Sequence, residues 1–166
     1  EAAPFRMLDL CELARSTVSD WVPQSLERGI DLGFEQEMAK APVEGNEVLL
    51  REMLNNLIDN ALRHAAQGTV TVRVRAEREQ FSVDVEDNGC GIAATEQGRI
   101  FDRFYRVLGN TTDGSGLGLA IVKEIADQHR ARLELQSPVQ GSGAGTRFTI
   151  VFGPEPDETE ALLDDE

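Results

Sequence analysis

Three short stretches of this 166-residue chain carry side chains whose types and spacing suit ligand chemistry. Within 49–66, Glu52, Asn56, Asn60 and either Arg63 or His64 recur at steps of three or four and so share one helix face. Asn is a poor helix former, and two of them one turn apart weaken a helix. Taken alone, the pair is best explained by a buried hydrogen bond to a neighbouring loop. The second stretch, Asp87-Asn88-Gly89-Cys90-Gly91-Ile92, follows an alternating apolar run. A carboxylate at a strand end accepts from an exocyclic amine such as that of adenine and repels a guanine carbonyl, while glycines let a planar ligand approach the backbone. A β-turn explains the same residues. The third, Gly114-Ser115-Gly116-Leu117-Gly118-Leu119, opens a helix. Unhindered amides at a helix N-terminus suit phosphate oxygens, and a flexible linker running into a helix is the alternative. It is not a dinucleotide fingerprint, because no strand precedes it and Leu119 stands where a third small residue belongs. Nor is it a P-loop, as no Gly-Lys-Ser/Thr follows.

The elements that must position these residues follow from apolar periodicity. Residues 7–10 suit a short strand. Leu13, Ala14, Val18, Trp21, Val22 and Leu26 predict a helix over 11–28, which Pro23 is expected to kink or divide and Gly29 to end. Ile30, Leu32 and Phe34 alternate as a strand does. Asn46 caps a second helix that runs to about Ala66, with Leu50, Leu54, Leu57, Ile58, Ala61, Leu62 and Ala65 as its buried stripe. Val70, Val72 and Val74, then Phe81, Val83 and Val85, predict a hairpin with one polar face, hence a sheet covered on one side only. A glycine-rich region over 89–118 contains a short helical piece over 95–106. A third helix runs from near Leu117 to near His129, and strands at 132–136 and 146–152 close the fold. The expected class is an α/β two-layer sandwich, a mixed sheet with about three helices on one face.

The length fits one domain, and no apolar run is long enough to span a bilayer. The formal net charge of −14 argues against nucleic-acid backbones as partners. Half of that excess lies in 153–166, which holds seven acids and no base. Residues 154–166 therefore read as an acidic, disordered tail and 1–153 as the domain. Cys11 and Cys90 have no metal-ligand spacing and read as reduced thiols of a cytoplasmic compartment.

In their order and spacing the three stretches resemble the ATP site of the GHKL superfamily (the Bergerat fold), which includes gyrase-type topoisomerases, certain chaperones, MutL mismatch-repair proteins and histidine kinases. Leu54-Asn55-Asn56-Leu57-Ile58-Asp59-Asn60-Ala61-Leu62-Arg63-His64-Ala65 is similar to the histidine-kinase N box. Residues 87–91 and 114–118 are similar to its two glycine boxes. Phe101-Asp102-Arg103-Phe104-Tyr105-Arg106 is similar to the F box typical of the kinases. The resemblance covers roughly 5–152 and identifies the chain as the catalytic ATP-binding domain of a bacterial two-component sensor histidine kinase.

That resemblance implies roles. Asn60 ligates Mg²⁺ through its amide oxygen, with Asn56 facing the same cluster. Arg63 reaches toward phosphate and His64 packs on adenine. Asp87 fixes adenine beside Gly89, Gly91 and Ile92, with Thr146 in support. Gly114, Ser115, Gly116, Leu117 and Gly118 bind phosphates at the base of a mobile lid, where Arg99, Arg103 and Arg106 contact phosphate, a partner helix or solvent. The superfamily's hydrolases carry glutamate where Asn56 stands, so this site is expected to hold ATP for transfer and hydrolyse it poorly. Neither His64 nor His129 has the surroundings of a phosphoacceptor. The acceptor is expected on dimerising helices outside this sequence, and the chain is expected to be a monomer. The intact protein is expected to be an inner-membrane sensor with this domain in the cytoplasm and a response regulator downstream. An ATPase-type switch, an anti-sigma serine kinase and a pseudokinase binding module are the rival readings. The F box disfavours the first two, and intact Asn60, Asp87 and glycine boxes disfavour the third.

Overall fold

The computed structural model describes residues 4–65, 68–103, 105, 118–139, 141 and 143–153. Over these the chain runs β1 (Arg6–Asp9), α1 (Leu10–Glu27), β2 (Asp31–Gln36), β3 (Pro42–Gly45), α2 (Glu47–His64), β4 (Thr69–Glu77), β5 (Gln80–Asp87), α3 (Gly118–Gln128), β6 (Arg132–Gln136) and β7 (Thr146–Phe152). Five strands form one mixed sheet in the order β2-β4-β5-β7-β6, in which only the β2–β4 pair is parallel. β1 and β3 form a separate antiparallel ribbon. The α/β two-layer expectation holds.

Two-residue alternation decides which side of the sheet is dry. Val70, Val72 and Val74 of β4, Val83 and Val85 of β5, and Phe148, Ile150 and Phe152 of β7 are all buried and pack on the helices. α2 meets them with Leu50, Met53, Leu54, Leu57, Ile58, Ala61 and Leu62. The opposite face is a lattice of cross-strand charge. Arg73 pairs with Glu35 at 2.8 Å, Arg147 with Glu86, and Arg75 forks onto Asp84 at 2.7 and 3.0 Å. Asp84 is fully buried, and the Thr149 hydroxyl also donates to it, at 2.7 Å. That fork raises the already high pKa of Arg75, mainly through the hydrogen bond to Asp84.

Three expectations need correction. α1 is one helix with Pro23 inside it, so of the two outcomes expected there division does not occur; the proline removes a single helical hydrogen bond, and the helix still buries Ser25 beyond it. The segment 95–106 is not an α-helix among its described residues. Its backbone bonds span three residues (Glu96 to Ala93, Arg99 to Glu96, Asp102 to Arg99, Tyr105 to Asp102), giving successive turns. β3 was missing from the sequence reading, because Pro42 heads a strand of four residues whose pairing with β1 is long-range.

α2 is the helix on which the site rests, so its packing is testable. Leu57 is fully buried, and Leu57→Ala is expected to lower the unfolding free energy by about 3 kcal/mol in urea titrations. A loss below about 1 kcal/mol would mean that the helix is not seated as described.

Candidate active site

α2 begins where Asn46, in extended conformation, turns its side chain to accept from the Leu49 amide at 3.1 Å. The cap sets the helix register, and the apolar stripe then sets its rotation. Of the three asparagines, Asn55 is engaged by the scaffold: the Trp21 indole of α1 donates to it at 2.8 Å. Asn56 donates to the Glu52 carbonyl one turn back at 2.9 Å. Its Oδ1 lies 3.2 Å from where a Cβ on Gly118 would stand, so the first residue of α3 sits against it. The Asn60 side chain makes no hydrogen bond among the described residues. The loop hydrogen bond that would explain Asn56 and Asn60 structurally is therefore not found there. Arg63 lies along α2 on Asp59 at 3.1 Å. His64 is half-buried; burial first, and Arg63 second, pull its imidazole below the ordinary histidine range.

Strand alternation also governs the second cluster. Asp87 has the same parity as Val83 and Val85, so it is the last inward residue of β5 and faces the helix side with only 4% exposure. Burial pushes its carboxyl up from 3.8 to about 6, against the lowering effect of the Gly89 amide, which donates to it at 2.9 Å. Its other oxygen makes no hydrogen bond among the described residues. Thr146, the first residue of β7, is its cross-strand partner and is also buried. The turn is seated by close approach: a Cβ on Gly89 would stand 2.1 Å from the His64 carbonyl oxygen, and one on Gly145 would stand 2.3 Å from that of Asp87. The end of β5 and the start of β7 thus meet at the end of α2, and the start of α3 meets the same helix further back, at Asn56.

Three participants escaped the sequence reading. Gly145 donates its amide to Gly89 at 3.0 Å and holds φ +87°. The Ser137 hydroxyl accepts from the Ile92 amide, donates to the Gly145 carbonyl (both 2.8 Å), lies 3.4 Å from the Thr146 hydroxyl and approaches Gly91. Gln97 spans from Ile92 to Ser137. The glycines at 141, 143 and 145 signalled a turn, but nothing in the sequence tied that turn to Asp87.

The candidate lid residues are dispersed. Arg99 lies 3.7 Å from Asp102 and over the Tyr105 ring, and Arg103 lies 3.9 Å from Glu124. Gly114, Ser115, Gly116, Leu117, Phe104 and Arg106 lie outside the described residues. Among the described residues no three His, Cys, Asp or Glu cluster as a metal site. A cation here would rest on an amide oxygen and on oxygens that its ligand brings, which suits a hard, well-hydrated ion.

Residues 45–156 match the family of histidine kinase-, DNA gyrase B-, and HSP90-like ATPases. The sensor protein kinase PmrB of Pseudomonas aeruginosa is 37% identical over 93% of this chain, which spans 32% of that protein. The sensor histidine kinase CusS of Escherichia coli K12 is 36% identical over 89% of the chain and 30% of its own length. The chain thus spans about a third of the curated relatives it matches. Among solved structures, the catalytic domain of the histidine kinase ThkA shares the fold with a TM-score of 0.79, at 23% identity over 90% of this chain and 95% of that one. Full-length ShkA in complex with AMPPNP matches with a TM-score of 0.77, at 26% identity over 92% of this chain and 31% of its own.

The raised carboxyl gives a signed expectation. The folded protein holds the Asp87 proton more tightly than the unfolded chain does. Stability from this group is therefore fully present below about pH 4 and lost as pH rises through about 6. Asp87→Asn keeps the acceptor for Gly89 without the charge. It is expected to be more stable than the wild type by roughly 3 kcal/mol at pH 8 and equal to it near pH 4. Urea unfolding across that range checks this; a difference independent of pH would contradict the buried carboxylate.

Proposed function

The chain belongs to the histidine kinase-, DNA gyrase B-, and HSP90-like ATPase family, and from that premise we propose that it is the catalytic domain of a sensor histidine kinase, binding Mg-ATP and transferring the γ-phosphoryl group to a histidine outside this sequence. The observation that carries the reading is a buried strand-end carboxylate, Asp87, in a turn seated on His64 at the end of α2, the same helix whose Asn56 lies against the first residue of α3.

Each residue has a task that its chemistry supports. The free oxygen of Asp87 accepts from the exocyclic amine of adenine, with the Thr146 hydroxyl beside it. A guanine carbonyl at that place would face a carboxylate and be repelled. Gly89, Gly91 and Ile92 form the backbone on which the base lies, and the half-buried His64 borders it. Asn60 offers its amide oxygen to Mg²⁺, and Asn56 stands next to it on the same helix face. Mg²⁺ supplies charge neutralisation between phosphate oxygens. Gly118, the first residue of α3, offers its amide to phosphate; Gly114, Ser115, Gly116 and Leu117 would add theirs, and Arg63 can leave Asp59 to join them. Because an amide at Asn56 cannot take a proton from water, the site positions ATP for transfer and does not drive its hydrolysis. The ShkA structure of like fold holds AMPPNP, an ATP analogue, which supports a nucleotide here.

The rest of the reading concerns the longer protein. Dimerising helices would bring the acceptor histidine, and a response regulator would take the phosphoryl group onward. The isolated domain would be a monomer over 1–153, with 154–166 as a tail. None of its described helices is long and apolar enough to cross a membrane, which is consistent with a cytoplasmic domain of an inner-membrane sensor.

Calorimetry tests the site. ATP is expected to bind more tightly with Mg²⁺ than without, and Asn60→Ala to remove that difference. GTP and the Asp87→Ala variant are each expected to weaken binding by about 10- to 100-fold. Affinity is expected to fall as pH drops through about 6, because a proton on the free oxygen of Asp87 removes its charge and turns it from acceptor to donor. Failure of a folded domain to bind ATP at all would overturn the assignment.

A further inference from the structure

Ile92 is held in an unusual way for a residue in an irregular segment. Both of its backbone groups are bound by side chains, one from five residues on and one from a distant part of the chain. Its amide donates to the Ser137 hydroxyl at 2.8 Å, and its carbonyl accepts from the Gln97 amide nitrogen at 3.0 Å. That same nitrogen donates to the Ser137 carbonyl at 3.0 Å, so the three residues close a ring. The two acceptors are both carbonyls, which fixes the amide orientation: only the nitrogen end of Gln97 can face them. Ser137 continues the ring to the site, because its hydroxyl donates to Gly145, the residue before Thr146. Gln97 continues it the other way, into the turns over 93–103, where neighbouring Glu96 accepts from the Tyr105 hydroxyl.

No sheet ladder takes part in this ring. With the Gly145 amide on the Gly89 carbonyl, it ties the Gly91–Ile92 backbone to the segment that leads into the Asp87–Thr146 pair. We propose that Gln97 and Ser137 are positioning residues for the adenine half of the nucleotide site, holding Ile92 so that a base amine and Asp87 meet at hydrogen-bonding distance. The inference rests on the reading of Asp87 as the base acceptor. Neither residue touches the reacting phosphates, so their effect falls on base recognition.

The test uses this chain with two probes, ATP and inosine triphosphate, which differ in the base amine. Both are titrated with Mg²⁺, and unfolding midpoints are recorded in parallel. Gln97→Ala is expected to weaken ATP about fivefold, and Gln97→Glu about tenfold or more, since a carboxylate would aim acceptors at two carbonyls. The preference for ATP over inosine triphosphate is expected to shrink in the same order, with Ser137→Ala behaving like Gln97→Ala. Equal loss of both nucleotides with an unchanged preference would overturn the positioning role and leave a loop tie. Unchanged binding in all three variants, with Asp87→Asn still impaired, would overturn the clasp and spare the site. A wild-type domain that binds neither nucleotide would remove the Asp87 reading and the clasp with it.

Discussion

The burial of one face of α2 against the inward residues of β4 and β5 is the constraint on which the site depends. Leu54, Leu57 and Ile58 are fully buried against the core that Val72, Val74 and Val83 share. A helix locked by that stripe cannot rotate without exposing it, at about 25 cal/mol for each Å² of apolar surface. Asn56 and Asn60 therefore point where the stripe makes them point. The same two-residue alternation that aims Val83 and Val85 inward aims Asp87 inward as well. Core and site share one geometry, and the site begins where the apolar pattern gives way to polar residues.

That shared geometry explains the electrostatics. An aspartate at an inward position loses solvent, so its carboxyl rises to about 6. Asp84, three residues earlier on the same strand and on its other face, is also buried but is gripped by Arg75 and Thr149. The two differ in their partners. Asp84 has its charge compensated within the sheet, as a buried ion needs. Asp87 has one backbone amide and an oxygen left over, which suits a group meant to meet a ligand. The open face of the sheet, laced by Glu35–Arg73 and Glu86–Arg147, needs no second helical layer.

The base of the site is assembled from backbone at places where side chains have been removed. Gly89 lies on the last turn of α2, Gly145 on Asp87 and Gly118 on Asn56. At Gly89 and Gly145 a Cβ would strike backbone and push the turn off its seat, whereas at Gly118 it would crowd the Asn56 side chain. Ser137 and Gln97 then supply the hydrogen bonds that such a loop cannot make with itself.

Much of this was legible in the residues before any folding. Periodicity located α1, α2, α3 and every strand of the large sheet, because apolar spacing of about 3.6 or 2 is local and survives without knowledge of partners. The boxes at 54–65 and 87–91 marked segments that the fold brings into contact, where Gly89 sits on His64. Other features were decided only in three dimensions. β3 exists because β1 lies opposite it, Gln97 ties the turns over 93–103 to Ile92 and Ser137, and α1 runs on through Pro23. The burial that raises Asp87 and the union of Ser137 with Gly91 and Gly145 arise the same way. These are contacts between residues far apart in the chain, whose energies depend on distance in space, and no local pattern of side chains encodes that distance.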